Sequence, residues 1–193
     1  MARFLDQSEP VVVLVGMVIP GESIDGDVLV LVEQERTVAA PRELAEFLSY
    51  VTAPRRMSEL KNWVQEAGGT ESDIGKLVRS GRLLQVEPGS GGEVLRAFAG
   101  MRVVPLGFPV EVPGASGDVV YIGPDERSTQ VRPVSSLLAA TMWEQQNGED
   151  LPATVARLVA DADLGPDEAG RLVLNGLDAL LALGLARLEV VGP

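Results

Sequence analysis

Residues 26–36 read GDVLVLVEQER, and residues 117–127 read GDVVYIGPDER. Five of the eleven positions are identical, and three more exchange one apolar or aromatic residue for another. A chain that writes one strand-and-turn twice, 91 residues apart, is constrained to an architecture in which the same unit occurs twice. The dipeptides Val15-Gly16 and Leu106-Gly107 recur at that same offset of 91.

The segments around each copy follow one order. In the first, VVVLVGMVI (11–19) and VLVLV (28–32) read as strands, because they are short apolar runs rich in β-branched residues. Pro41 then suits the first turn of a helix over residues 41–51, with Leu44, Phe47, Leu48 and Val51 on one face. Ser58 is placed to cap a second helix carrying Leu60, Trp63, Val64 and Ala67. Thr70 and Asp73 have the spacing of a capping box for a third, which stops at Gly81 before the strand RLLQVE. The second copy repeats this with MRVVPLGFPVEV and VVYI as strands, then three helices and the strand LARLEVV. Its third helix is about two turns longer. Between the copies, PGSGG (88–92) reads as turn or linker, followed by a short helix. The expected fold class is therefore α+β: two tandem winged-helix-like repeats, each a β-hairpin, three helices and a closing strand. The repeats would span residues 1–87 and 102–193, joined by a linker at 88–101.

Composition narrows the chemistry. The chain of 193 residues has no cysteine and no histidine, which removes thiolate nucleophiles, the commonest general base and the commonest metal ligands. What remains is carboxylate chemistry, and the densest carboxylates (Glu149-Asp150, Asp161 with Asp163, Asp125-Glu126) fall at turns and helix caps, where Asp has backbone reasons to stand. No catalytic residue, metal or cofactor is expected, and the protein reads as a non-enzyme. Residues 1–100 carry 10 basic and 15 acidic side chains, and residues 101–193 carry 6 and 13. Both halves would repel a phosphate backbone and an anionic membrane, so neither nucleic acid nor membrane is the expected partner. Lys76, Arg79 and Arg82 on the third helix of repeat one read as a solvated face, with Glu71 and Asp73 where DNA would approach.

The N-terminal MARFLDQSEP lacks the pattern of a signal peptide. The longest apolar run, residues 10–20, is about half of the roughly 20 residues that a membrane helix needs. The expected location is the cytoplasm. Trp63 and Trp143 each have apolar neighbours and read as core. On the third helix of repeat two, Val173, Leu174, Leu177, Leu180, Leu181 and Gly184 form a wide apolar face, with Leu172 and Leu183 outside it. That surplus fits either burial against repeat one or a groove for a partner segment.

Residues 117–190 resemble the PqqD-like fold, the precursor-peptide recognition element of ribosomal peptide natural-product pathways. The resemblance rests on the hairpin GDVVYIGPDER, on Trp143 and Gly148 in a W-x-x-x-x-G pattern, and on Leu177, Leu180, Gly184 and Leu185 before the last strand. Repeat one has Gly81 and the hairpin but no W-x-x-x-x-G. The resemblance implies a protein that binds a leader peptide as an added strand, in a cleft against the third helix, and presents it to a modifying enzyme. Mapped onto this chain, the implied peptide-binding residues are Val119, Val120, Tyr121, Ile122, Arg171, Leu174, Asn175, Asp178 and Leu181. The corresponding cleft at residues 28–32 is disfavoured, because the third helix there is shorter and more polar. The alternative reading is a tandem winged-helix adaptor that assembles a multiprotein complex, with a transcription regulator third. Homodimerisation stays open.

Overall fold

The computed structural model describes residues 3–5, 8–23, 26–33, 36–40, 42–114, 117–145, 148–160 and 162–192. Pro41, Asn147 of the W-x-x-x-x-G stretch, and Asp161 lie outside these. After a turn of 3-10 helix at Arg3–Leu5, the chain runs β1 (Val11–Leu14), β2 (Met17–Ser23), β3 (Gly26–Glu33), β4 (Arg36–Ala40), α1 (Arg42–Tyr50), β5 (Arg55–Arg56), α2 (Met57–Glu66), α3 (Glu71–Arg79) and β6 (Leu83–Val86). Helix α4 (Gly91–Arg96) follows. Then come β7 (Met101–Pro105), β8 (Phe108–Val110), β9 (Val119–Gly123), β10 (Arg132–Ser135), α5 (Ser136–Glu144), α6 (Leu151–Leu158), α7 (Pro166–Ala182) and β11 (Ala186–Val190). The fold is mixed α+β with small antiparallel sheets.

The sheets explain the repeated dipeptides. Each run expected as one strand is two, broken at Val15-Gly16 and at Leu106-Gly107. Before the break, β1 pairs with the later strand β6, and β7 pairs with β11. After the break, the chain enters a three-stranded meander, β2-β3-β4 in one half and β8-β9-β10 in the other. Glycine is required at both corners. Gly16 has φ of 106°, a left-handed value that side chains resist. A Cβ on Gly107 would sit 2.7 Å from Ile122 Cγ2 and 2.9 Å from the Gly123 carbonyl oxygen. The twice-written GDVLVLV and GDVVYIG are thus the middle strands of the two meanders. Strands β4 and β10 close them, and neither carries a strand pattern in the sequence.

The continuous apolar run at β1 has a packing cause. All four of its residues are buried. Val11 and Val13 join a core with Phe98, Val173, Leu177 and Leu188, while Val12 and Leu14 join another with Leu48, Val51, Leu60 and Leu83. Successive side chains on a strand point to opposite faces, so one strand serves both cores. Gly16 N–H donates to the Leu188 carbonyl at 2.7 Å, tying this strand to β11. Beside that contact the buried Glu189 carboxylate accepts from Arg102 at 2.7 and 3.1 Å and from Arg187, whose other nitrogen reaches Met17 Sδ at 3.0 Å.

The helix starts follow local chemistry. Asp73 accepts the Thr70 backbone N–H at 3.1 Å, as a capping box requires. The Lys76 ammonium, then the Thr70 hydroxyl and N–H, hold the Asp73 carboxyl down at about 2. Ser58 is not a cap. It lies in the first turn of α2, and Glu9 supplies the missing acceptor, taking the Ser58 N–H at 2.9 Å and its hydroxyl at 2.8 Å. The PGSGG stretch is not a free linker either. Gly91 and Gly92 open α4 and are buried. Ser90 and Glu93 form its capping box, and Asp167 on α7 accepts the Gly92 N–H at 3.0 Å. A Cβ on Gly91 would collide with the Asp167 carbonyl, and one on Gly170 with the Gly91 carbonyl. Glycine here permits two helix backbones to touch.

Candidate functional site

Strand β9 is not an edge. Val119, Val120, Tyr121 and Ile122 pair with Ser135, Val134, Pro133 and Arg132 of β10. On the other side, Tyr121, Ile122 and Gly123 pair with Val110, Pro109 and Phe108 of β8. The meander adds β10 to the hairpin read from sequence, so β9 lies between two strands, with Val119–Ile122 paired to β10 and Tyr121–Gly123 paired to β8. The same holds for residues 28–32, which lie in β3 between β2 and β4.

The nine residues implied by resemblance do not converge on one surface. Ile122 and Leu174 are fully buried, and Leu181 is 4% exposed. They belong to the core and cannot offer side chains to a partner. The apolar surplus of α7 is covered from within the chain, by α4, the 3-10 turn, α5 and β10. Arg171 is exposed but lies against the start of α4. Asn175 is exposed. Asp178 faces the 3-10 turn, where the Arg3 backbone N–H donates to it. Its Oδ1 is buried without a partner among the described residues. Burial pushes the Asp178 carboxyl above the usual range, against the smaller pull of Arg3. Its protonated form is therefore the one the fold favours. That contribution is complete below the ordinary value of 3.8 and is lost as pH rises through the elevated folded value.

What the structure brings together instead is the outer side of β10 and one face of α7. Gly176 permits the approach, because a Cβ there would lie 2.6 Å from Leu138 Cδ2 and 3.2 Å from Val134 Cγ1. Ser135 caps α5 by accepting the Leu138 N–H at 3.2 Å, and its hydroxyl donates to the Leu172 carbonyl at 3.1 Å. At the other end of β10 a cleft of about 490 Å3 opens between Thr129, Val131 and Arg132 on one wall and Leu183 and Leu185 on the other. Two large apolar side chains of this face stay exposed, Leu172 at 40% and Leu183 at 47%. Among the described residues nothing pairs with the outer edge of β10. A faint signal stood in the sequence: RPVS carries Val134 between polar residues, but its proline and its length of four disguise it as a loop.

Elsewhere the polar groups are used structurally. Asp150 caps α6 through the Ala153 N–H at 2.9 Å and accepts the Gly100 N–H at 2.8 Å. Glu149 and Glu144 both hold Arg157. Asp125 accepts the Arg127 N–H in a turn. Among the described residues no group of three or more acidic side chains is placed to hold a metal ion. Among them, too, no helix is long and apolar enough to cross a membrane. A second concavity of about 410 Å3 lies among α1, α2 and α3, lined by Leu44, Phe47, Trp63, Val64, Ile74 and Leu77. Trp63 there stacks on Tyr50 at 5.5 Å. Trp143 is partly buried against the second-half core. No protein-family model, curated protein or solved structure matches the chain.

Proposed function

We propose that the chain is a non-enzymatic peptide-binding protein, built as two tandem winged-helix-like repeats. In this reading it docks an extended segment on the outer edge of β10, against α7, and presents it to a modifying enzyme, as the PqqD-like resemblance implies. The observation that supports it most is an edge strand with no partner among the described residues, beside a cleft of about 490 Å3. Backbone hydrogen bonds supply affinity in strand addition, and side-chain pockets supply selectivity, so no catalytic group is needed. The site moves from β9 to its neighbour, and Leu183 replaces Leu174 as the contact from α7. The adaptor reading draws its support from the second groove among α1, α2 and α3, which would serve another partner.

The test selects phage-displayed random peptides on the immobilised protein and measures their affinity for Leu183→Asp. Leu183 is 47% exposed, so this variant should keep a native circular dichroism spectrum. Loss of about tenfold or more in affinity, roughly 1.4 kcal/mol, is expected. Selection of no peptide, or undiminished binding to Leu183→Asp, would contradict the reading.

A further inference from the structure

We propose that the segment docked beside β10 is the C-terminal end of a partner chain, with its free α-carboxylate on Arg132 and its last apolar side chain against Leu183 and Leu185. The proposal rests on the docking reading above and deepens it.

Strand direction gives the first reason. The strands of the β8-β9-β10 sheet are antiparallel to their neighbours. A strand added in the same sense runs opposite to β10, from the Ser135 end towards the Arg132 end. Its C-terminus therefore arrives at Arg132, where the cleft of about 490 Å3 lies. The β9–β10 connection supplies Pro124, Thr129 and Gln130 to that cleft, so the arriving backbone meets a loop rather than open solvent. A chain end fits there better than a chain that continues.

The charge at that place gives the second reason. Side chains alternate along a strand, so Arg132 lies on the same face of β10 as Val134, which is buried against α5 and α7. One step beyond that core, Arg132 lines the cleft opposite Leu183 and Leu185. It is exposed and has no carboxylate partner among the described residues, although acidic side chains outnumber basic ones by 28 to 16 in the chain. A guanidinium grips a carboxylate through two parallel N–H donors, and Thr129 on the same wall carries a further hydroxyl donor. Leu183 is exposed and Leu185 nearly buried, so together they offer apolar contact to the side chain next to that carboxylate.

Strand β10 itself supplies a short ladder. It has four residues, and Pro133 has no N–H. A terminal carboxylate, which an internal segment lacks, adds the affinity that such a ladder cannot. A run of acidic side chains would be repelled by a chain of net charge −12, whereas a single terminal carboxylate meets little of that repulsion.

The experiment displays short random peptides in two ways, at the C-terminus of a phage coat protein with a free carboxylate and within a coat-protein loop. Binders are then synthesised as free acids and as amides, and their affinities are measured for wild type, Arg132→Gln and Arg132→Lys. Arg132 is exposed, so both variants should keep a native circular dichroism spectrum. The C-terminal library should yield peptides that end in an apolar residue, and amidation should weaken them about tenfold or more. Arg132→Gln should lose the same factor for the acid and no longer distinguish it from the amide. Arg132→Lys, which keeps the charge without the fork, should fall between. Equal affinity of acid and amide for wild type, or a difference that persists in Arg132→Gln, overturns the capture of a C-terminus. So does recovery of binders from the loop library alone, or binding of amides through an Asp or Glu side chain. Under any of these the docking reading still stands if Leu183→Asp weakens binding. Failure of both libraries overturns the docking reading and this proposal together.

Discussion

Leu174→Glu is expected to unfold the protein rather than to silence one surface. Leu174 is fully buried on α7, inside the core that also holds Val134, Leu138 and Leu177. Truncating such a leucine costs about 2–5 kcal/mol through lost transfer and a residual cavity. Glutamate adds the burial of a charge in an apolar core, a further cost of several kcal/mol. Together these match the whole stability of a typical domain, about 5–15 kcal/mol. Loss of the cooperative thermal transition should be visible by circular dichroism. Asn175→Glu, one residue on and exposed, should melt like wild type. A folded Leu174→Glu would mean that this face of α7 is open.

Phe4→Ala should cost about 3–5 kcal/mol, although it changes a residue at the very start of the described chain. Phe4 is 2% exposed and meets Phe98 edge-on, with ring centres 5.3 Å apart and planes at 86°. Such pairs contribute beyond their buried area. Arg3 beside it donates to the Pro54 carbonyl and lies 3.6 Å from Glu59, so the same turn reaches from the core around α7 to the helices of the first half. Its removal should lower Tm by roughly 6–20 °C, at about 2–4 °C per kcal/mol for a chain of this size. A drop below about 2 °C would show that the turn lies on the fold without carrying it.

Much of the element order was legible because it was written twice. The first two helices of the first half start at Arg42 and Met57, next to the expected Pro41 and Ser58, and Thr70 with Asp73 marked the third, at Glu71. Three things were not legible, each for a physical reason. Glycine has two uses, and PGSGG looks like a turn or linker although Gly91 lets α4 touch α7. A strand of four residues with a proline in it, RPVS, has no period to detect, so β10 is hidden and β9 looks like the outer strand of a hairpin. An apolar face on a helix also looks the same whether the chain or a partner covers it. Of that face on α7, Leu174 and Leu181 are covered by the chain itself, while Leu172 and Leu183, which fell outside the periodic seam, stay exposed beside β10.

Amide hydrogen exchange, read residue by residue with and without a bound displayed peptide, tests the docking site on β10 most directly. The free protein should already protect the amides of Val120, Ile122 and Val134, which lie in the paired strands, and should exchange Ser135, at the end of β10, readily. Peptide binding should slow exchange at Ser135 by about tenfold or more if its amide gains a hydrogen bond and loses water. Protection confined to the groove among α1, α2 and α3, or none along β10 in a saturated complex, would contradict the account.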